Sequence, residues 1–283
     1  MSALIARPAL LRTPAQPLRV AGRLAGGLLL RFGVLALLVL LWQWAAARTS
    51  SLFFPTPAEI VARIHHDWFS GPAAHLFLTH SVATDIVPSL GRMLAGWILG
   101  SVIGVAVGVF AGESRVIRQV VDPPAQFLRA LPTPAIVPVF LLLFGASTSM
   151  RILLIAFGCV WPVLLNTMNA SAAVDPQRRS SAKAMHLGRA RQLFLVVLPS
   201  TGPAVAAGMR IGLALGLILM VLSEWVVSTS GLGFTLITAQ QHFDMTGMWA
   251  AMVALAIAGY LINTVFLAVE KRVLRWHEGA RGK

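Results

Sequence analysis

The sequence predicts an all-α integral membrane protein of about six transmembrane helices with both termini cytoplasmic. Composition is the first reason. Of 283 residues, 57% are hydrophobic and only 12% are charged, where a soluble domain carries about 25% charged residues. The second reason is a set of charge-free runs. Met93–Gly112 has 20 residues, Ala130–Met150 has 21, Ile152–Val174 has 23, and Met245–Glu270 meets its first charge at its last position. Each is long enough to cross about 30 Å of hydrocarbon as a helix. The third is the placement of basic residues. Seventeen fall before the first apolar run, after the second, between the fourth and fifth, or at the chain end, against three (Arg48, Arg63, Arg151) in the loops between. Basic loops stay in the cytoplasm. The net charge of +13 is thereby explained by topology, and nucleic acid is excluded as a partner.

The elements follow in order. A basic N-terminal segment, 1–27, leads into a first span at 28–47. The basic head, Phe32–Leu41 and Ala45-Ala46-Ala47 have the outline of a signal peptide. Trp42 and Trp44 at the water interface, with further spans behind them, favour an uncleaved helix instead. The outside segment 48–80 holds a short helix. Thr56 is its cap, Pro57 its first residue and Glu59 the return partner, a capping box. Ile60, Val61, Ile64 and Trp68 then repeat at helical spacing. The remainder, 81–272, is a five-helix core, followed by a basic tail, 273–283.

The second span, about 86–112, carries Gly96, Gly100, Gly104, Gly108 and Gly112, a strict period of four. That face is a bare groove where another helix can approach closely. The fifth span, about 200–226, repeats the device at Gly208, Gly212 and Gly216. The third span is expected to start at Asp122 as N-cap with Pro123 at the first helical position. Pro132, Pro134 and Pro138 then interrupt it, which marks a candidate pathway-lining helix. The fourth span is about 151–170 and the sixth about 247–270. Cys159, the single cysteine, is read as a small packing residue. "SEWVVSTSGLGFTLITAQQHFDMTG" reads as an outside loop or a partly inserted helix.

The inner loop 175–199 contains "SAKAMHLGRARQLFLVVLP". A short helix starting at Ser180 or Ser181 ends at Leu187, with Gly188 as its stop. Beyond it Ala190, Leu193, Phe194 and Val197 recur at helical spacing, opposite Arg189, Arg191 and Gln192. Spacing alone leaves two readings: a docking element for a cytosolic partner, or an amphipathic helix on anionic lipid.

This stretch resembles the coupling segment of binding-protein-dependent ABC transporter permeases. Those segments begin Glu-Ala-Ala, with a glycine six positions later. Gly188 matches the glycine and Leu187, Leu198 and Pro199 keep the frame, but Ala182 stands where the glutamate does, followed by Lys183 and Ala184. "SLGRMLAGWILGSVIGVAVGVFAG", "DPPAQFLRALPTPAIVPVFLLLFG", "LNTMNASAAVD" and "SEWVVSTSGLGF" are similar to the branch serving nitrate, sulfonate and taurine. The resemblance implies a type I importer permease fold and a homodimer. It also implies a pair of cytosolic ABC ATPase subunits gripping the coupling segment through Ala182, Ala184, Leu187, Gly188, Arg189, Leu193, Phe194 and Pro199, and a periplasmic or lipid-anchored binding protein. The chain itself has no G-x-x-x-x-G-K-[ST] loop: its lysines are 183, 271 and 283, so ATP hydrolysis belongs to a partner. No cofactor or metal is expected.

Among the other polar residues, Arg129, Pro132, Arg210 and Glu224 are the candidates for the pathway or an interface, since an ionisable group at membrane depth is costly. Arg210 and Glu224 are too far apart on one helix to pair. Arg129 or Arg210 supplies a positive potential for an anionic cargo, or else bonds helix to helix. Glu224 is expected to fix the loop after the fifth span. His65, His66, His75, His80 and His242 fall in outside segments and are read as surface histidines, and no catalytic constellation is present.

Overall fold

The computed structural model describes residues 17–49, 51–72 and 77–275, with side chains from residue 33 onward. Residues 1–16, His75 and the tail 276–283 lie outside the described residues. The chain divides into two units, Met1–Glu59 and Ile60–Lys283.

The first unit is mainly α1 (Pro17–Thr49), whose apolar stretch is Gly33–Thr49. Leu37, Leu38, Leu40 and Leu41 are exposed along it. Arg48 lies over the Trp44 ring, 5.1 Å from its centroid, a cation–π pairing suited to a head-group zone. The capping box forms as expected: the Thr56 amide donates to Glu59 Oε2 (2.8 Å) and the Glu59 amide to Thr56 Oγ1 (3.3 Å). It opens α2 (Pro57–Trp68).

In the second unit α2 is held against the chain, with Ile60 and Trp68 buried. Arg63 bridges Asp67 one turn on and Asp244, both at 2.7 Å. The hydrogen bond to Asp67 holds the Arg63 guanidinium above its usual pKa.

Among the described residues, four helices are long and apolar enough to span a membrane: Val82–Glu113, Thr148–Ala172, Arg189–Val226 and Met245–Val273. The first contains α3 (Val87–Glu113) and the second is α6 (Thr148–Ala172). The third contains α9 (Leu198–Val227) and the fourth is α11 (Met245–Val273). The expected third span is a bent pair instead: α4 (Arg115–Ala130) and α5 (Thr133–Phe144), meeting at 101°. Asp122 is therefore not an N-cap. Ser114 caps α4, its hydroxyl accepting from the Ile117 amide, and Pro123 and Pro124 sit inside the helix. The break comes later, where Leu131 and Pro132 are extended. The residue before a proline disfavours helix, and two X-Pro steps follow one another there.

The core is a three-helix contact of α3, α6 and α9. A methyl group at Gly96, Gly100, Gly104, Gly108 or Gly112 would meet the carbonyl oxygen of Ile152, Ala156, Val160, Leu164 or Met168 at 2.6–2.9 Å. The pairing advances four residues on both helices together, so α3 and α6 run parallel, backbone on backbone. From α9, Gly208 meets the Pro162 carbonyl at 2.8 Å, while Gly212 and Gly216 make ordinary contacts around Cys159. The numbering falls on α6 as it rises on α9, so these two are antiparallel. Met93, Ile155, Cys159, Leu219 and Met220 fill the space between the three helices. The Cys159 thiol donates to the Gly212 carbonyl at 3.1 Å.

Candidate functional site

Three groups of residues stand out: the loop between α6 and α9, the end of the bundle opposite that loop, and the α4–α5 elbow.

The loop begins with α7 (Pro176–Ala184). Asp175 caps it through the Gln177 amide (2.8 Å), so the helix starts before Ser180 and Ser181. It also stops before Leu187. The Leu187 amide reaches Ala182 O and the His186 amide reaches Lys183 O, with His186 at φ 52°. That is a Schellman closure with histidine in the left-handed position. Gly188 is thus not the stop. Its φ is −63°, it caps α8 (Arg189–Gln192), and the space before its Cα is open. Neither a turn nor a neighbour in this chain demands glycine there. The Gln192 side chain closes the corner on Leu187 O at 2.8 Å. A π-helical turn, Leu193–Val197, then runs into α9.

Ala182 and Val197 face inward and are buried. Ala184, Gly188 and Arg189 are exposed, and Leu187, Leu193 and Pro199 are half-buried. Met185, Phe194 and Leu195 are 71%, 63% and 64% exposed, so the tip of the loop offers a large apolar surface with a basic rim. Met185 is absent from the sequence-derived set, because its position before the glycine carries no periodic signal. Arg179 ties this loop to the bundle. Its two Nη atoms reach both Glu113 carboxylate oxygens at 2.7 Å, and Nη2 also reaches the Ser171 carbonyl at 2.6 Å. The hydrogen bond to Glu113 raises the Arg179 pKa. One guanidinium thus joins α7 to the ends of α3 and α6 in a rigid fork.

At the end of the bundle opposite the α6–α9 loop, Glu224 is wholly buried. Its carboxylate accepts from Arg92 Nη2 (2.5 Å) and from the Gly233 amide (2.9 Å). Ser89 Oγ accepts from the Leu232 amide and Asp85 Oδ1 from the Gly231 amide. These are the orphan donors at the start of α10 (Leu232–Gln241), all satisfied by side chains of α3, α9 and the turn before α3. Gly231 has φ 117°, and a methyl group there would sit 2.6 Å from Glu224 Oε2. The loop 228–247 is accordingly a helix pinned to the bundle. Arg151, counted above among loop charges, is buried within α6.

The two remaining arginines differ. Arg210 does not pair with Glu224; its guanidinium binds Glu270 of α11. Arg129, on the last turn of α4, is exposed, and among the described residues no carboxylate lies within ion-pair reach of it. It lines a cavity of about 110 Å³ at the elbow beside Pro132, the N-cap of α5.

Comparison with known proteins agrees with this arrangement. Residues 100–276 match the family of binding-protein-dependent transport system inner membrane components. The taurine transport system permease protein TauC of Escherichia coli is 28% identical over 88% of this chain and 90% of its own. The nitrate import permease protein NrtB of a Synechocystis species is 23% identical, covering 85% and 87%. The bicarbonate transport system permease protein CmpB of Synechococcus elongatus is 28% identical, covering 67% and 68%. Among solved structures, the inward-facing methionine ABC transporter MetNI superposes with a TM-score of 0.56 at 19% identity, over 68% of this chain and 93% of that one. With the helices, their parallel and antiparallel packing and the matched segment all in accord, the chain belongs to the inner membrane components of binding-protein-dependent transport systems, the permease subunits of ABC importers.

Proposed function

We propose that two copies of this chain form the pathway of an ATP-driven importer in a bacterial inner membrane, with both termini in the cytoplasm. A pair of cytosolic ABC ATPase subunits grips residues 175–199, and a periplasmic or lipid-anchored binding protein delivers the cargo. The cargo is a small compound carrying an oxyanion, by analogy with relatives named for taurine, nitrate and bicarbonate.

One observation carries the reading. The loop between α6 and α9 exposes Met185 and Phe194 beside a glycine with open space in front of it. An exposed apolar tip with a reserved gap is what a docked partner covers. Force applied there reaches the spans along α9, which continues from the loop, and through Arg179, which grips the ends of α3 and α6. Ala182 lies on the buried face of α7, so the position held by glutamate in the resembling segments points inward here and the apolar tip is what the loop offers outward.

A cysteine at Met185 in a Cys159→Ser background should crosslink to an ATPase subunit in native membranes; crosslinks to lipid reagents alone would reject the reading. Gly188→Trp should insert and fold normally, since a Cβ there meets nothing within 4 Å among the described residues and the position is exposed. The same variant should abolish uptake, and undiminished uptake counts against the docking role.

A further inference from the structure

The elbow between α4 and α5 contains a small cavity lined by a guanidinium, an indole and a hydroxyl, each able to donate a hydrogen bond. Arg129 and Thr133 line it from the elbow, Phe157 and Trp161 from α6, and Leu215 and Leu219 from α9. The Trp161 Nε1–H is buried and has no hydrogen-bond partner among the described residues. The Phe157 ring meets the indole edge-on at 5.3 Å and fixes its orientation. No carboxylate lines the cavity. Pro132 supplies no side-chain cap, so the positive end of α5 opens beside it.

Depth adds to this. α6 runs from 148 to 172, so Phe157–Pro162 lies at its midpoint, about as far from either membrane face as a span allows. An arginine without a counter-ion at such depth is costly unless a cavity or ligand receives it. Arg210 has its counter-ion in Glu270; Arg129 has none among the described residues. A site with one cationic side chain and neutral donors beside it favours anions, because a guanidinium and oriented N–H and O–H groups can all donate to an oxyanion. At about 110 Å³ the cavity is far smaller than pockets that enclose drug-sized ligands. It fits a head group of a few heavy atoms.

We infer that this elbow cavity is a transit site for a small oxyanion, with Arg129 as its charge partner and Trp161 Nε1–H and the Thr133 hydroxyl as neutral donors. The inference rests on the importer reading, and it assigns the recognition of charge to the broken third span. Arg129 then acts on the cargo and not merely as the basic cap of α4.

The test uses the purified full-length complex in detergent at constant ionic strength. Nitrate, bicarbonate and methanesulfonate are the probes, with a neutral sugar as control. At least one anion should raise the unfolding temperature and protect Arg129 from phenylglyoxal, read by peptide mass. Apparent affinity should fall about tenfold or more in Arg129→Gln and in Trp161→Phe, the size expected for a lost charged or buried hydrogen bond. Arg129→Lys should retain part of it, and Arg210→Gln should leave it unchanged. Equal affinity in Arg129→Gln, or no protection by any of the three anions, overturns the assignment. Because the crosslink at position 185 is scored separately, a complex that still contains its ATPase but ignores the anions loses this inference and keeps the importer.

Discussion

Glu224 shows how much one side chain can hold. It carries a buried negative charge whose two oxygens are committed to Arg92 and to the amide that opens α10. Removing one partner of a buried ion pair costs about 3–5 kcal/mol, mostly because the other charge is stranded. Glu224→Gln should therefore lower the stability of the detergent-solubilised protein by about that amount. Loss of protection in the amides of residues 231–233 should accompany it, measured by hydrogen exchange. His186 is the opposite case. A left-handed conformation costs a residue with a Cβ about 1–2 kcal/mol, and here it only closes a helix end. His186→Gly should raise thermal stability by about 1 kcal/mol. A destabilised variant would show that the imidazole itself is needed. The sequence assigned Glu224 to the loop after the fifth span but not its partner Arg92, 132 residues away, and the role of His186 was not visible, since glycine is the usual residue for the position it fills.

At the scale of elements, α3 and α6 are joined as two bare backbones. The glycine period was legible because a face of one helix is a local property. The identity of the partner was not, since five glycines fit any smooth surface. The register of carbonyls 152, 156, 160, 164 and 168 answers that. Gly104→Leu would drive a side chain into the Val160 carbonyl and the Val163 Cβ, both 2.9 Å from a methyl at that position. It should separate the helices and prevent accumulation of folded protein, assayed by fluorescence size exclusion. The same enlargement at Gly212, where the contacts are 3.4 Å or longer, should be milder. α4 and α5 teach the converse lesson. A charge-free run of 21 residues reads as a span, but the helix breaks at Leu131–Pro132, while Pro123 and Pro124, also consecutive X-Pro steps, are absorbed inside α4. Proline count did not say which prolines break the helix; the packing of Ala125 beside Ala111, Leu164 and Met168 does.

For the whole molecule the testable property is topology. The alternation of basic loops predicts that residues 175–199 and the two ends of the chain share one side. Single cysteines at positions 185 and 271 in the Cys159→Ser background should react with an impermeant maleimide only in inverted vesicles. A cysteine at 243 should react only in right-side-out ones. Labelling of 185 from outside would reject both the topology and the docking surface.

Hydropathy alone determined that the chain is a helical membrane protein and roughly where most of its spans lie, because those depend only on the solvent each segment tolerates. The glycine stripe, the capping box and the Gly188 frame were legible for the same reason: each is written in residues close together in the chain. What tertiary structure decided is every pairing across distance. Arg92 with Glu224, Arg210 with Glu270, Arg179 with Glu113, and the solitude of Arg129 all depend on which helices become neighbours. Charges in a membrane are costly enough that their partners fix the helix arrangement, yet those partners lie from about 60 to more than 130 residues away, beyond what any local pattern records.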